Sequence, residues 1–188
     1  KDSANYAFDK IIDLNRKSPR VYMINAHLKK IQNTDIKESN YEEVLEYLTD
    51  LEEDRENRPF LDKIYREVAQ FHLATGSDSL ALAYYNKSLK VNQGDRKLSS
   101  LNYQSLADYH FDENEYKTAG AYYDSTLTNL EEKTRKYRSI KKKLDNLEDV
   151  IKYEDIAQYA DSVITLYKMP ESQLKSYFEN YIAALKRN

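Results

Sequence analysis

The sequence predicts an all-α protein, built as a right-handed solenoid of antiparallel helical hairpins with about ten helices. Three observations lead to this prediction. Apolar residues recur every three to four positions along most of the chain, as at Ile64, Val68 and Phe71. The 188 residues include only three glycines and three prolines, which disfavours turn-rich sandwiches and Gly-loop α/β enzymes. One helical pattern also occurs twice, 38 positions apart.

The punctuating residues place the helix boundaries. Pro19, Pro59 and Pro170 fall where apolar periodicity begins, and the first helical turn tolerates proline. Gly76 and Gly94 fall in breaks, where a residue with positive φ would end a helix. Gly120 instead lies inside a helical stretch and indicates close approach of another helix. The predicted helices span roughly 3–15, 19–32, 39–54, 58–75, 78–91, 95–113, 115–130, 132–151, 153–168 and 170–187.

The repeated pattern predicts how these helices pack. Two antiparallel helices approach closely only where one contact residue is small, and a large aromatic then fills the groove beside it. One such unit cannot bury its apolar face alone, so the units stack. The expected aromatic positions on first helices are Tyr22, Tyr65, Tyr103 and Tyr137. The expected small positions on second helices are Ala4, Val44, Ala81, Ala119 and Ala157.

We therefore read residues 1–188 as a single array of repeats. Residues 1–15 form the second helix of a truncated unit, and 19–54 form a degenerate repeat. Residues 58–92 and 95–130 form two well-matched repeats, 132–168 form a second degenerate repeat, and 170–187 form a C-terminal helix.

The two central units resemble tetratricopeptide repeats, with "YREVAQFH" and "ALAYYNKS" in one and "YQSLADYH" and "AGAYYDST" in the next. From about Asn57 onward, "NRPFLDKIYREVAQFHLATGSDSLALAYYNKSL", "AYYDSTL" and "DSVITLYKMPE" are similar to the PorW/SprE family of tetratricopeptide lipoproteins of type IX secretion and gliding motility. The resemblance implies an outer-membrane lipoprotein facing the periplasm, lipid-anchored at full length. Its partners would be components of the secretion machine.

The sequence offers little catalytic chemistry. It has no cysteine, no His-Glu-x-x-His, no Gly-rich phosphate loop and no nucleophile elbow, so we expect no enzyme and no cofactor. His72 and His110 share a repeat position and raise the question of a metal site. That position holds a core-facing aromatic in such repeats, so we interpret both rings as packing groups.

Charge and aromatic content set further limits. The 29 basic and 32 acidic residues are nearly balanced, and the only aromatic in the basic run from Arg135 to Lys143 is Tyr137, a predicted packing position, so we expect no nucleic-acid partner. No apolar run is long enough to span a membrane. Most of the 18 tyrosines fall at packing positions, whereas Tyr153, Tyr177 and Tyr181 are available for an end-of-array contact. Three Asp-Ser tripeptides resemble O-glycosylation sites, at Asp78, Asp124 and Asp161.

The leading functional hypothesis is a non-catalytic scaffold that binds another protein. The alternative is a helical regulatory or lid domain of a larger enzyme, and the neighbouring sequence of the full-length protein would separate the two. First helices line the concave face of such arrays. Helical phase places seven residues there: Lys63, Arg66, Gln70, Gln104, Asp108, Arg138 and Lys142. Their mostly cationic character predicts a groove for an extended acidic segment or a C-terminal carboxylate.

Overall fold

The computed structural model describes residues 2–186, and within this range the chain is helical, with no strand. This confirms the predicted all-α class. The α-helices are α1 (Asp2–Asp13), α2 (Arg20–Asn33), α3 (Tyr41–Glu53), α4 (Leu61–Ala74), α5 (Asp78–Val91), α6 (Arg96–Asp112), α7 (Tyr116–Thr128), α8 (Arg135–Lys168) and α9 (Glu171–Leu185). Short 3₁₀ turns at Asn15–Lys17, Glu38–Asn40 and Arg55–Phe60 precede α2, α3 and α4.

Helix starts follow the sequence signals. Pro19 and Pro170 directly precede α2 and α9, and Pro59 lies in the 3₁₀ turn that leads into α4. The side chains of Asp95 and Thr134 each accept a hydrogen bond from a backbone N–H in the first turn of α6 and α8. Such caps satisfy donors that have no partner inside the helix.

The glycines have two different roles. Gly76 and Gly94 have φ angles of 76° and 99°, in the left-handed region, and lie in the breaks before α5 and α6. Gly120 is buried inside α7, where an added Cβ would lie 3.0 Å from Cδ1 of Ile151 on α8. The predicted close approach at Gly120 is therefore confirmed.

Helix α1 packs against α2, and from α3 to α8 each helix packs against the next one in the chain. Helices α4 and α5 are antiparallel, because Ser88 near the end of α5 donates a hydrogen bond to the carbonyl of Asp62 at the start of α4. Helices α6 and α7 are also antiparallel, because the Arg96 guanidinium at the start of α6 donates to the carbonyl of Thr128 at the end of α7, at 2.6 Å. The two pairs correspond to the two central repeats.

The core consists of three apolar clusters, each joining consecutive helices. The first joins α2, α3 and α4 around Ile24, Leu48 and Ile64. The second joins α4, α5 and α6 through Ala69, Tyr85 and Leu106. The third joins α6, α7 and α8 through Ala107, Ala119, Tyr123, Leu127, Ile140, Leu144 and Leu147. Helices α4 and α6 thus each contribute buried residues to two of the three clusters.

The predicted packing positions are correct in the centre of the chain and wrong at its ends. Val44, Ala81 and Ala119 are buried, whereas Ala4 and Ala157 are exposed. Tyr65, Tyr103 and Tyr137 are half-buried, but Tyr22 is 60% exposed. The reason is that packing is incomplete at both ends, because α1 contributes no buried residue and α8 contributes none beyond Leu147.

The prediction of separate helices at 132–151 and 153–168 is wrong, because residues 135–168 form the single 34-residue helix α8. The described part of the chain therefore has nine α-helices rather than ten. The apolar residues change face near Lys152, but no glycine or proline interrupts the segment, so the backbone continues as a helix.

We expect Ala119→Leu to lower the free energy of unfolding by about 1–3 kcal/mol, because the added methyl groups would enter a filled core. Ala119 is 0% exposed, whereas Ala121 on the same helix is exposed. Urea unfolding of both leucine variants provides the comparison, and Ala121→Leu should change the free energy by less than about 0.5 kcal/mol. Equal effects would show that the approach of α7 to its neighbours does not require a small residue.

Candidate functional site

Two adjoining clefts lie along the first helices of successive pairs. The basic cleft lies between α2, α4 and α6, and the acidic cleft lies between α4 and α6 further along both helices. The basic cleft is lined by Asn25, Leu28, Lys29, Gln32, Lys63, Arg66, Glu67, Asp95, Lys97, Leu98 and Leu101. The acidic cleft is lined by Gln70, Leu73, Ala74, Tyr85, Ser105, Asp108, Tyr109 and Asp112.

The structure places five of the seven predicted groove residues in or beside these clefts. Lys63 and Arg66 line the basic cleft, and Gln70 and Asp108 line the acidic cleft. Gln104 donates a hydrogen bond to Asp108 at 3.2 Å. The remaining two residues, Arg138 and Lys142, are exposed on α8 and line neither cleft.

Arg66 is tied into the packing rather than projecting freely. Its Nη1 donates to Oδ1 of Asn102 on α6 at 2.8 Å, and its guanidinium carbon lies 5.8 Å from the centre of the Tyr85 ring. Burial lowers the pKa of Arg66, although an arginine remains charged at any physiological pH. The guanidinium therefore bridges α4 to α6 and presents its other donors to the basic cleft.

A buried carboxylate forms one wall of the basic cleft. Glu67 is only 6% exposed and accepts a hydrogen bond from Nε2 of Gln32 on α2 at 2.7 Å. Burial raises the pKa of Glu67, while the bond from Gln32 and the nearby charges of Arg66 and Lys29 oppose the rise. The cleft still has more cations than carboxylates, with four of the former and two of the latter among its lining residues.

A further cation comes from the start of α8. The pKa of Lys136 is lowered, first by burial and then by the positive charges of Arg66 and Lys97. Arg66 on α4 and Lys97 on α6 thus disfavour the charged form of Lys136 on α8, while the Asp108 carboxylate favours it. Lys136 was missed in the sequence, because helical phase within α8 alone does not show which neighbouring helix it approaches.

Asp108 connects three helices at the acidic cleft. Its carboxylate accepts hydrogen bonds from Oη of Tyr123 on α7 at 2.6 Å and from Nζ of Lys143 on α8 at 3.1 Å. Burial and the bond to Asp108 raise the pKa of Tyr123, which therefore stays neutral and donates. Asp108 is thus a structural acceptor, and Lys143 was another residue that the sequence did not indicate.

The two histidines considered for metal binding are stacked on tyrosines. The His72 ring lies 5.6 Å from that of Tyr84, and the His110 ring lies 5.3 Å from that of Tyr122. His110 also pairs through Nδ1 with Glu115 at 2.6 Å. Within residues 2–186, no three His, Cys, Asp or Glu side chains lie together in an arrangement that could hold a metal ion.

The three tyrosines predicted to be available at the C-terminal end are exposed. Tyr153, Tyr177 and Tyr181 are 69%, 45% and 55% exposed, whereas Tyr85 and Tyr123 are almost completely buried. Packing therefore accounts for the central tyrosines and leaves the C-terminal ones without a role in the core.

Neither a family model nor a curated protein matches this chain. None of the helices between residues 2 and 186 combines the length and the apolar character that crossing a bilayer requires.

His72 makes the stability depend on pH. Its ring is buried, its Nδ1 has no hydrogen-bond partner within the described chain, and burial lowers its pKa from 6.5. Since the unfolded chain binds the proton more readily, the free energy of unfolding should fall as the pH drops below about 6.5. We expect His72→Phe to make this fall shallower, measured by urea unfolding at several pH values.

The result is taken from the slope of the unfolding free energy with pH. A change in packing in His72→Phe that is the same at every pH therefore does not affect it. His27 has a pKa lowered by burial and by the charges of Arg20 and Lys30, so it will leave a residual slope. His27→Phe is the companion variant that removes that second contribution. If His72→Phe keeps the full slope of the parent chain, the buried His72 ring does not carry the pH dependence.

Proposed function

We propose that this chain is a non-catalytic scaffold that binds an extended segment of another protein along α2, α4 and α6. The observation that carries the proposal is the pair of adjoining clefts along these helices, with cations at one end and carboxylates at the other. We further propose that the hairpins continue as a right-handed solenoid of the tetratricopeptide type. The 38-residue repetition and the two antiparallel pairs support this arrangement.

The proposed ligand is an acidic segment or a C-terminal carboxylate seated in the basic cleft. Arg66 and Lys97 would contact its carboxylates, with Lys136 beside them at the start of α8. An arginine offers two parallel donors that match a carboxylate, and its contact with Asn102 fixes its orientation beforehand. The acidic cleft repels further negative charge, so the acidic end of the segment would lie at the basic cleft.

We place this scaffold in a type IX secretion or gliding machine, at the periplasmic face of the outer membrane. The support is the sequence resemblance from Asn57 onward, together with a surface suited to binding rather than catalysis. In the gene that encodes this chain, we expect an upstream signal peptide followed by a lipid-bearing cysteine. An upstream catalytic motif would instead favour a regulatory domain of an enzyme.

The ligand proposal predicts the effect of charge reversal in the basic cleft. The probe is a fluorescein-labelled, unstructured peptide rich in Glu with a free C-terminal carboxylate. Lys63→Glu combined with Lys97→Glu should weaken its binding at least about tenfold, which corresponds to about 1.4 kcal/mol. The dependence of affinity on salt should fall as well, because fewer opposite charges then meet. Fluorescence anisotropy measures both quantities.

The matched control is Lys37→Glu combined with Lys90→Glu, which changes the net charge equally at exposed positions outside both clefts. This control should bind the acidic peptide nearly as well as the parent chain. Equal weakening in both double variants would mean that net charge, and not the basic cleft, attracts the peptide. A Lys-rich peptide of the same length tests the sign of the preference.

Two further variants test whether the binding surface extends to α8. Arg138→Glu should weaken binding only if the segment continues past α6. Arg66→Glu combined with Arg138→Glu is the stronger reversal, but Arg66 also joins α4 to α6 through Asn102. Its circular dichroism and unfolding midpoint must therefore match the parent chain before its binding is interpreted.

A further inference from the structure

The second half of α8 and the whole of α9 expose an unusual amount of apolar surface. On α8, Tyr153, Ile156, Val163, Ile164 and Tyr167 are between 46% and 90% exposed. On α9, Tyr177, Phe178, Tyr181, Ile182 and Leu185 are between 45% and 59% exposed. No residue of α9 is buried, and the buried residues of α8 end at Leu147.

These α8 residues form one stripe on the side of the helix that faces away from α7. With 3.6 residues per turn, Tyr153, Ile156, Ala160, Val163, Ile164 and Tyr167 share one face. The residues that pack against α7, among them Leu144 and Leu147, lie on the opposite face. The stripe is therefore accessible along its whole length, and α7 does not obstruct it.

The stripe reads nearly the same in both directions about Ala160. Tyr153 and Tyr167 lie seven residues to either side, and Ile156 and Ile164 lie four residues to either side. Ala157 and Val163 lie three residues to either side, so these two equivalent positions differ only in that one holds an alanine and the other a valine. Two-fold symmetric interfaces require this kind of self-complementarity, because residue i contacts residue j and residue j contacts residue i.

We propose that two copies of this chain associate through α8, antiparallel, with the two-fold axis at Ala160. In this arrangement Tyr153 of one copy meets Tyr167 of the other, and Ile156 meets Ile164. Ala160 meets its own counterpart, and a small residue at the crossing point allows the two helices to approach closely. This dimer uses the second half of α8, whereas the proposed peptide site lies on α2, α4 and α6 with Lys136 at the start of α8.

The exposed area is sufficient for a stable dimer only when both helices contribute. Ten large apolar side chains, each about half exposed, present on the order of 1,000 Å² per copy. This exceeds the roughly 300–600 Å² of the largest patch on a typical monomer. It also reaches the approximately 800 Å² per partner of a standard interface. The stripe on α8 supplies about half of the area, so α9 must flank the pair of α8 helices.

The charges beside the stripe repel between copies, so burial of apolar side chains would drive the contact. Residues 148–168 contain five carboxylates and two lysines. Antiparallel pairing about Ala160 places Asp161 near its own counterpart, while Glu154 comes within reach of the other copy's Lys168. Because the net charge of the segment is repulsive, added salt should strengthen this association. Salt has the opposite effect on the proposed peptide binding, so the two activities are separable.

The first experiment is sedimentation velocity of the complete chain from about 5 µM to about 500 µM, a range that covers weak dimers. We expect a monomer–dimer equilibrium that shifts toward the dimer at higher salt. Ile164→Asp should raise the dimer Kd at least about tenfold, because each interface would bury the new carboxylate twice. Thr165→Asp is the matched control, with the same charge one position along and outside the stripe.

Both positions are exposed in the single chain, so neither variant should change the helicity measured by circular dichroism at low concentration. Lys63→Glu with Lys97→Glu should leave dimerisation unchanged, which separates failure of this proposal from failure of the peptide proposal. A chain that stays monomeric throughout the concentration range would overturn the dimer and leave the stripe to a different protein. A dimer equally sensitive to both aspartates would overturn the interface.

Spin labels test the antiparallel geometry. The chain has no cysteine, so a single cysteine introduced at Ser162 or at Asn146 provides one labelling site per chain. Both positions are exposed. A rise of 1.5 Å per residue gives axial offsets between copies of about 6 Å at position 162 and about 42 Å at position 146. The measured distance must therefore be clearly longer at position 146. Equal distances at the two positions would mean parallel helices and would overturn the proposal.

Discussion

From α4 to α8, consecutive helices meet at side chains no larger than alanine, and the central core depends on this close approach. Ala69, Ala81, Ala107 and Ala119 are 0% exposed, and Gly120 is buried against α8. Because the backbones come close at these points, the large rings nearby have space only in the grooves between neighbouring helices. Tyr85 and Tyr123 occupy those grooves and are among the most buried side chains in the protein.

Buried hydrogen bonds add direction to this apolar packing. Asn102 on α6 donates to Oγ of Ser88 on α5 at 2.7 Å, and Ser88 donates in turn to the carbonyl of Asp62 on α4. Arg66 donates to Asn102 from the cleft side. Apolar contacts alone tolerate sliding of one helix along another, whereas a buried donor must keep its acceptor. The chain of bonds therefore fixes the register of α4, α5 and α6.

The same packing places opposite charges in the basic cleft and the acidic cleft. Helices α4 and α6 both carry cations near their starts, at Lys63, Arg66 and Lys97, and α6 carries Asp108 and Asp112 near its end. Since α4 and α6 lie side by side, like charges at the same level along the two helices add to the same electrostatic potential in the cleft. The start of α8 adds Lys136 to the basic end, and Lys143 reaches Asp108 at the other end. Such a polarised surface favours one orientation of a bound segment over its reverse.

Sequence pattern alone determined the helical class, most helix boundaries and the central packing positions. Local rules suffice for these features, because periodicity, proline and glycine act within a few residues of the backbone. The predicted break near Lys152 is wrong, because no glycine or proline interrupts α8 there. Its apolar residues change face instead, so that the first half of the helix packs against α7 and the second half exposes its apolar side chains.

For the two clefts as well, some features follow from the sequence and others only from the tertiary structure. Helical phase, which depends only on position along one helix, grouped Lys63, Arg66, Gln70 and Asp108 on one predicted surface, and all four line the clefts. It could not show that Arg66 and Asp108 are held by side chains of other helices, nor that Lys136 approaches Arg66. Those relations depend on the distance and rotation between helices. Close packing at the small residues decides both, and no single helix carries that information.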